Sequence, residues 1–369
     1  MKVVHIFKDC YPPTTGGIEQ HMSLLCSRLA RTLNVTILAP SRCRRRIEDN
    51  LDGVRIIRVP EFGRFASVPL CPTAPLELNR IGPDLVHLHF PNPMGDLTQL
   101  LGAFRVPFVI TYHADIIKQK AFVPLYSPIL KLIFKKARKI LFSAEENINA
   151  SSFIAANRHK CAVIPFGIDA DAFRPREGEE EAVEELRSEF DSPAVLFVGA
   201  ARYYKGLDVL LKAMTKVPGC LLLAGRGTDE LPLKRIAAEL RVAERVRFFG
   251  EVSPSRLRIL LNAADIFALP SIDRCETFGI GQLEAMACSK PVVSTDIPTG
   301  VRSVNRHGVT GLVVAPGDSD ALAGALNILF SNPSLRAEFG GAGRRRVDSE
   351  FSADRMVSRT LEVYDEVLR

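Results

Sequence analysis

Ile266-Phe-Ala-Leu-Pro-Ser271 and the following Cys275-Glu-Thr-Phe-Gly-Ile-Gly-Gln-Leu-Glu-Ala-Met-Ala287 form the stretch that decides the fold. Its first four residues are continuously apolar, which is typical of a buried parallel strand. A short polar loop comes next, and the pattern predicts a helix that opens near Phe278. Because Pro291-Val-Val-Ser-Thr295 then resumes the apolar pattern, the whole stretch is predicted to be one β-α-β unit of a parallel sheet.

The same alternation of apolar runs and helical spacing extends in both directions from this unit. In the second half of the chain, apolar runs recur at residues 195–198, 221–224, 246–249, 266–269, 292–295 and 312–315. The first half carries comparable runs at residues 35–39, 54–57, 85–88, 108–112 and 140–142. Two successive sets of this kind predict an α/β protein with two doubly wound sheets.

The chain length also favours two domains, because 369 residues exceed what one hydrophobic core usually supports. The extended segment Pro165-Phe-Gly-Ile-Asp169 precedes an acidic run that begins at Glu177, so we place a hinge near residue 165. We predict a first domain at 1–165, a second at 166–350 and a closing helix at 351–369. Ligands of such sheets bind outside the carboxyl ends of the strands, so the chemistry is expected in a cleft that both domains face.

The composition argues against a secreted or membrane-spanning protein. The eight cysteines include no C-x-x-C pair, and the first residues run into an apolar strand pattern without the features of a signal peptide. No window approaches about twenty uninterrupted apolar residues. We therefore expect a cytoplasmic protein whose membrane contact, if it has any, is peripheral. The net charge of +6 is modest and does not select a partner.

Two glutamates frame the start of the predicted helix, with Glu276 just before it and Glu284 inside it. The free N–H groups at a helix start, here around Phe278 and Gly279, attract a phosphate. Carboxylates accept hydrogen bonds from hydroxyl groups. Glu276 is therefore predicted to bind a sugar joined to that phosphate, and Glu284 a ribose. Each would be an ordinary surface acid if taken singly, but their joint position favours a nucleotide-sugar site.

A pair of cations follows the apolar run at 195–198. Arg202 and Lys205 would both project from the end of that strand, where paired cations can neutralise a diphosphate and its leaving charge. A solvated basic loop would explain either residue alone, but it explains both at a strand terminus less well. We therefore predict a phosphate role for the pair.

The first domain offers candidates of its own. Gly16 and Gly17 precede a predicted helix and would let the backbone approach a ligand closely, although a tight turn would need the same glycines. His113 follows the run at 108–112, where an imidazole could hydrogen-bond a sugar hydroxyl or serve a structural role. Asp115 could bind an acceptor or cap the next segment.

Several other classes of site are not supported. His87 and His89 share one face of a strand, but without a third ligand they predict no metal site. The phosphate-binding motifs G-x-G-x-x-G and G-x-x-x-x-G-K-[ST] do not occur. Nucleic acid is a poor partner, because no aromatic residues interleave the basic clusters.

Residues 125–139 predict a basic helix. Lys131, Lys135 and Arg138 are expected on one face, and another face is expected to carry Leu125, Ile129 and Leu132. Such a helix can lie on an anionic lipid surface, or it can pack on a core with a solvated basic side. A second basic cluster, Arg42 with Arg44-Arg-Arg46, would bind acceptor phosphates or form an ordinary loop.

The chain resembles retaining glycosyltransferase family 4 over almost its whole length. The motifs occur in the family's order: Gly16-Gly17, His113, Gly199 with Arg202 and Lys205-Gly206, Leu223-Ala-Gly225, Phe249-Gly250, and Glu276 through Glu284. The two glutamates with the upstream cations are the most discriminating part. The resemblance implies the GT-B fold of two Rossmann-like domains facing a central cleft. It also implies a metal-independent reaction that retains the anomeric configuration, with the nucleotide held mainly by the second domain.

Carried over residue by residue, the resemblance implies a role for each candidate. Arg202 and Lys205 would bind the diphosphate, Glu276 the donor sugar and Glu284 the ribose. His113 would lie at the reacting sugar and, with Arg202, Lys205 and Glu276, would form the catalytic set. The remaining donor contacts would be Gly16, Gly17, Gly225, Phe249, Phe278 and Gly279. Thr277 and Ala200-Ala201 depart from the family's usual residues, which leaves the donor's identity open.

The function implied is hexose transfer to a growing glycan or lipid-linked acceptor. Residues 89–93, 111–115 and 201–206 look most like bacterial enzymes of lipopolysaccharide or exopolysaccharide synthesis, mannosyltransferases among them. GDP-mannose is the favoured donor, with no metal or other cofactor, and domain closure would align donor and acceptor. The alternatives are a UDP-sugar donor, an epimerase or phosphorylase of the same fold, and a catalytically silent subunit that binds a sugar nucleotide.

Overall fold

The computed structural model describes residues 1–12, 14, 16–65, 68–115, 123–151, 153–190 and 193–369. These residues form two compact units, and the chain enters the second unit at Ile168 and leaves it at Ser352. The first unit holds residues 1–167 and 353–369, and the second holds residues 168–352. Residues 353–369 of the closing helix predicted at 351–369 therefore belong to the first unit.

The first unit is built on an eight-stranded sheet. Its strands and the short pair β5–β6 are β1 Lys2–Ile6, β2 Asn34–Ser41, β3 Ile47–Leu51, β4 Val54–Pro60, β5 Arg64–Phe65, β6 Val68–Pro69, β7 Leu85–Phe90, β8 Phe108–Tyr112, β9 Lys139–Phe142 and β10 Cys161–Val163. Its helices before the chain enters the second unit are α1 Gly17–Leu29, α2 Ala74–Ile81, α3 Pro93–Gly102, α4 Val123–Lys136 and α5 Glu145–Ala150.

The second unit is built on a six-stranded sheet. Its strands are β11 Ala194–Val198, β12 Cys220–Ala224, β13 Val246–Gly250, β14 Ile266–Leu269, β15 Val292–Thr295 and β16 Gly311–Val314. Its helices are α6 Glu179–Ser188, α7 Leu207–Ala213, α8 Leu231–Glu239, α9 Pro254–Ala263, α10 Ile280–Ala287, α11 Gly300–Val304, α12 Ser319–Ser331 and α13 Pro333–Glu350. The chain then returns to the first unit as α14 Ala353–Leu368.

Both sheets are doubly wound. The first has the strand order β10-β9-β8-β7-β1-β2-β4-β3, parallel except for the antiparallel edge strand β3. The second has the order β13-β12-β11-β14-β15-β16 and is parallel throughout. In each sheet the chain starts in the middle, builds outward to one side and then to the other, which creates a switch point between two central strands. The predicted α/β class and the predicted strands are confirmed.

The two faces of the first sheet bury different residues. Val4, Val86 and Ile110 belong to the cluster that also includes residues of α2, α3 and α4. Val3 and Leu85 point to the opposite face, where residues of α1 and α14 cover them. The packing partner of the last helix, which the sequence did not indicate, is therefore α1.

The basic helix α4 is turned differently from the prediction. Its buried residues Leu130, Ile133 and Phe134 recur at the spacing of one helix face, and Ala137, directly after the helix, is buried as well. Leu132, predicted to be on the apolar face, is 39% exposed. The apolar stripe that includes Leu130 and Ile133, one residue further along than the predicted Ile129 and Leu132, is the face that meets the core. The side chain of Leu125 lies outside the described residues.

Candidate functional site

The predicted donor residues of the second unit gather at the switch point of its sheet. Strands β11 and β14 are parallel neighbours, so their carboxyl ends lie side by side. Lys205 follows β11, and Glu276 follows β14 in the loop that leads to α10. Glu284 is in the second turn of α10. Residues that are far apart in sequence thus lie at the edge where ligands of doubly wound sheets bind.

Lys205 and Glu276 form an ion pair between the Lys205 ammonium and Oε2 of Glu276. Glu276 is only 7% exposed. The Ser271 hydroxyl lies 3.2 Å from the same carboxylate oxygen and donates to it. The Thr299 hydroxyl donates to the backbone carbonyl of Glu276 at 2.7 Å. The carboxylate is therefore held in one orientation before any ligand arrives.

Lys205 also acts on Glu284. Burial by itself lowers the pKa of Lys205, but the attraction of Glu276 and Glu284 outweighs it, and the pKa is raised. Burial raises the pKa of Glu284 to about 7, and Lys205 partly opposes this shift. The Lys205 ammonium thus attracts both carboxyl groups, and Glu284 titrates near neutral pH.

Arg202 stands apart from this cluster. It lies directly before the short 3-10 turn Tyr203–Lys205 and is exposed. Within the described part of the chain, its guanidinium makes no hydrogen bond or ion pair. The two predicted phosphate ligands therefore differ: Lys205 is already paired, whereas Arg202 is available to an anion.

The helix after Glu276 opens later than predicted. Its first residue is Ile280, because Gly279 adopts φ +73° and ends the preceding loop. Phe278 is 2% exposed, and its ring packs edge-on against Phe351 at 6.1 Å between centroids. Phe278 is therefore a core side chain, and the part of this segment that can meet an anion is backbone.

Gly225, directly after β12, is required for a steric reason. Gly225 has φ +122°, and a Cβ there would lie 2.2 Å from the carbonyl oxygen of Gly199. The backbones after β11 and β12 can approach this closely only without a side chain. Phe249, predicted to be a donor contact, is at the end of β13 with the guanidinium of Arg256 5.2 Å from its ring centroid.

The glycine pair of the first unit opens α1. Gly17 is the first helical residue, and Gly16 is its extended N-cap. A Cβ on Gly16 would lie 2.0 Å from Oε2 of Glu19, so the Glu19 carboxylate occupies the space that the glycine leaves. Pro13 and Thr15 of the same loop lie outside the described residues.

His113 lies directly after β8 and is 3% exposed. Its Nε2 lies 2.9 Å from Nδ1 of His89, and its ring lies 5.9 Å from His21 and 5.6 Å from Phe166, centroid to centroid. Among the described residues, no group hydrogen-bonds its Nδ1. His21 Nδ1 is likewise unpartnered there. Asp115, the neighbouring candidate, accepts a hydrogen bond from the Tyr112 hydroxyl.

His113 is one end of a buried network that the sequence did not reveal. His5, His87, His89 and Tyr364 join it, and each of them is fully buried. Alternation in β7 indicated that His87 and His89 share a face. The pairing of His5 with His87 across β1 and β7, and the arrival of Tyr364 from α14, depend on the tertiary fold.

Nitrogens of His5, His87 and His89 lie within 4.8 Å of one another, so the third imidazole that a metal site would need is present. The rings of His87 and His89 are stacked at 9°, and every ring nitrogen of the three already has a hydrogen-bond partner. A metal would have to displace these bonds. The contacts favour a hydrogen-bonded network.

Comparison with known proteins identifies the family. A family model for glycosyl transferases group 1 matches residues 178–346, and one for glycosyltransferase family 4 matches residues 15–172. The chain is 32% identical to an O-antigen chain mannosyltransferase of Escherichia coli, covering all of this chain and 99% of that protein. It is 31% identical to a D-rhamnosyltransferase of Pseudomonas aeruginosa, covering 96% of this chain and 93% of that one.

Solved structures agree on the fold. The HepE protein of Anabaena in complex with UDP-glucose superposes with a TM-score of 0.82 at 19% identity, covering 99% of this chain and all of that one. Sucrose-phosphate synthase from Thermosynechococcus elongatus superposes with a TM-score of 0.81 at 22% identity, covering 99% and 98% of the two chains. With family matches in both units and relatives aligned over at least 93% of their length, the chain belongs to glycosyltransferase family 4 and is a hexosyltransferase with the GT-B fold.

Proposed function

We propose that the chain transfers mannose from GDP-mannose to a growing glycan or lipid-linked acceptor of a cell-surface polysaccharide, with retention of configuration. The observation that carries this proposal is the buried cluster of Lys205, Glu276 and Glu284 at the β11–β14 switch point. The mannosyltransferase and rhamnosyltransferase relatives support the sugar class and the polysaccharide context.

The charges of this cluster suit a nucleoside diphosphate-sugar. Arg202 is exposed and unpaired within the described residues, so it can meet the diphosphate, and Lys205 supplies a second cation beside Glu276. Cations placed where the leaving group develops charge stabilise the transition state. Glu276 and Glu284 are left to accept hydrogen bonds from the donor's hydroxyl groups. In this proposal, the carboxylates bind the donor and the cations assist its departure.

Nucleotide binding tests the donor. Thermal-shift measurements with GDP, UDP and ADP are expected to give the largest rise in Tm with GDP. Glu284→Gln should strongly reduce that rise. Glu239→Gln on α8, an exposed glutamate of the same unit, is the matched control and should retain it. A larger shift with UDP would replace the GDP-mannose assignment with a UDP-sugar donor.

Product analysis tests the reaction. Incubation of GDP-mannose with lipid-linked glycan acceptors should yield an α-linked product, since the donor is an α-anomer and retention is proposed. NMR of the anomeric proton reads the configuration, and a β-linked product would overturn retention. The rate should be unchanged in EDTA, because the proposed chemistry uses no metal. Donor binding without transfer to any acceptor would favour a catalytically silent subunit.

A membrane surface is the partner we propose for α4. Its exposed side carries Lys131, Lys135 and Lys136, and Lys136 lies 3.9 Å from the ring centroid of Phe104, which is 52% exposed. Leu132 is exposed among these lysines. Basic side chains with interleaved apolar groups bind anionic lipid. In the described ranges no helix has the length and apolar character needed to span a bilayer.

Vesicle flotation tests this surface. The protein should float with vesicles that contain phosphatidylglycerol and not with pure phosphatidylcholine. Lys131→Glu with Lys135→Glu should abolish flotation, whereas Lys212→Glu with Lys216→Glu, which makes the same charge change in the second unit, should not. Equal flotation of the two double variants would refute the α4 surface.

A further inference from the structure

Five hydrogen bonds link Thr111 to His113 through the interior of the first unit. The hydroxyl of Thr111 lies 2.6 Å from Nε2 of His87. Tyr364 bridges the next two rings, with its hydroxyl 2.6 Å from Nδ1 of His87 and 3.2 Å from Nε2 of His5. The chain then continues from His5 Nδ1 to His89 Nε2 at 3.0 Å and from His89 Nδ1 to His113 Nε2 at 2.9 Å.

The burial of these rings keeps them neutral. Burial lowers the pKa of His5 to about 3, and it lowers the pKa values of His87, His89 and His113 well below the ordinary value. A neutral imidazole carries one proton, so it donates from one nitrogen and accepts at the other. Every bond in the chain must therefore run in the same direction, and the tautomer of one ring determines the tautomers of all the others.

The lengths of the two Tyr364 bonds indicate the direction. A phenol is a better donor than acceptor, and O–H donors form the shorter bonds, so the 2.6 Å bond to His87 is the one that Tyr364 donates. The 3.2 Å contact is then an N–H of His5 donating to the phenol oxygen. His89 must in turn donate to His5, and His113 to His89. This leaves Nδ1 of His113 without a proton.

A second observation agrees with this direction. Nδ1 of His113 is the nitrogen that has no partner among the described residues. An unpaired buried N–H is rarer in proteins than an unpaired acceptor. Of the two directions, the one that leaves a bare nitrogen at His113 is therefore the less costly in the ligand-free protein.

We propose that Tyr364 is a positioning residue that holds His113 in its Nε2–H tautomer and so presents Nδ1 as an acceptor for a ligand hydroxyl. That the hydroxyl belongs to a sugar rests on the proposed function. The acceptor nitrogen would favour a hydroxyl, which can donate, over a ligand group that can only accept. The C-terminal helix thereby contributes to a ligand contact that it does not make itself.

Nitrogen-15 NMR of histidine-labelled protein tests the proposal directly, because the Nδ1 and Nε2 shifts distinguish the two neutral tautomers. The chain has only seven histidines, and His113→Gln assigns the signal. Wild type should show the Nε2–H tautomer at His113. Tyr364→Phe removes the bridging hydroxyl and should shift the His113 signals toward a mixture of both tautomers.

Thr111→Val gives a sharper test. It removes the group that accepts from His87 Nε2–H, so His87 should carry its proton on Nδ1 and donate to Tyr364. The remaining bonds would then reverse, and His113 should become the Nδ1–H tautomer. A purely structural role for the network predicts no change at His113. Val363→Ala, a packing change beside Tyr364 on α14 that leaves the network intact, should also leave the His113 signals unchanged.

Activity separates this proposal from the proposed function. Tyr364→Phe should lower kcat/KM by about tenfold, the loss expected for one ligand hydrogen bond, with nucleotide affinity unchanged. Transfer activity with an Nδ1–H tautomer in wild type would overturn the relay and leave the function standing. The expected tautomers without any transfer would overturn the function alone.

Binding of Co²⁺ with a visible spectrum that His5→Gln abolishes would show a metal site and overturn the relay.

Discussion

The hydroxyl of Tyr364 lies 2.6 Å from Nδ1 of His87, although 277 residues separate them in sequence. This contact joins the last helix of the chain to a central strand of the first sheet. Arg28 of α1 and Asp354 of α14 form an ion pair at 2.8 Å near the start of that helix. Asp354 is 82% exposed, so this pair contributes little. The buried tyrosine is therefore a stronger polar anchor of α14 than this exposed ion pair.

Tyr364→Ala should destabilise the protein by about 3–5 kcal/mol, the usual cost of deleting a large buried aromatic side chain. The change leaves a cavity and also leaves His5 and His87 without their shared partner. Urea unfolding measures the loss. Leu368→Ala, at an exposed position of the same helix, should change stability by less than about 0.5 kcal/mol. Equal effects of the two substitutions would contradict the anchoring role.

Lys205→Ala and Arg202→Ala should separate stability from binding. Removal of Lys205 leaves the buried Glu276 carboxylate without its cation, which costs about 3 kcal/mol in comparable pairs. Arg202 is exposed and unpaired within the described chain, so its removal should leave the unfolding free energy nearly unchanged. Both variants should bind GDP more weakly. Urea unfolding and calorimetric titration measure the two quantities, and an equally destabilised Arg202→Ala would refute this division.

Glu284 should make the ligand-free protein less stable as the pH rises. Its pKa is about 7 in the folded protein against 4.5 ordinarily, so between these values the folded state binds more protons than the unfolded state. Stability therefore falls with rising pH across this window, by on the order of 3 kcal/mol for this group. The contribution of Glu284 to the slope is half its maximum at the folded pKa and vanishes about one pH unit above it.

Because burial also raises the pKa of Asp96 to about 7, the test compares the slopes of two proteins. Unfolding free energies of wild type and Glu284→Gln should be measured from pH 4.5 to pH 8. The variant should lack the Glu284 part of the decline and retain the part from Asp96. Parallel curves would show that Glu284 titrates normally.

Gly225→Ala should be strongly destabilising. Its backbone has φ +122°, and the new methyl group would meet the Gly199 carbonyl oxygen, which is backbone and cannot move aside. We expect a loss of at least about 2 kcal/mol. Gly324→Ala in α12 meets nothing within 4 Å and should stabilise the protein by about 0.5–1 kcal/mol. Thermal unfolding of the pair measures both effects, and a tolerated Gly225→Ala would exclude the close backbone approach.

The sequence by itself determined the architecture and the family. Continuous apolar runs separated by helical spacing specify parallel strands, because such strands are buried on both faces. The order of Gly16-Gly17, His113, Arg202, Lys205 and the two glutamates was sufficient to indicate glycosyltransferase family 4, which the relatives confirm. The roles of these residues toward a ligand remain predictions.

Only the tertiary structure decided which of these residues act on one another. Strand order cannot be read from local patterns, so the sequence could not show that β11 and β14 are neighbours or that Lys205 pairs with Glu276. The sequence also predicted Phe278 to be a donor contact, whereas the structure buries the Phe278 ring against Phe351. The largest difference is the histidine network. His5 and His87 come from the first quarter of the chain and Tyr364 from its last helix, and only long-range packing of β1, β7 and α14 brings their polar atoms within hydrogen-bond distance.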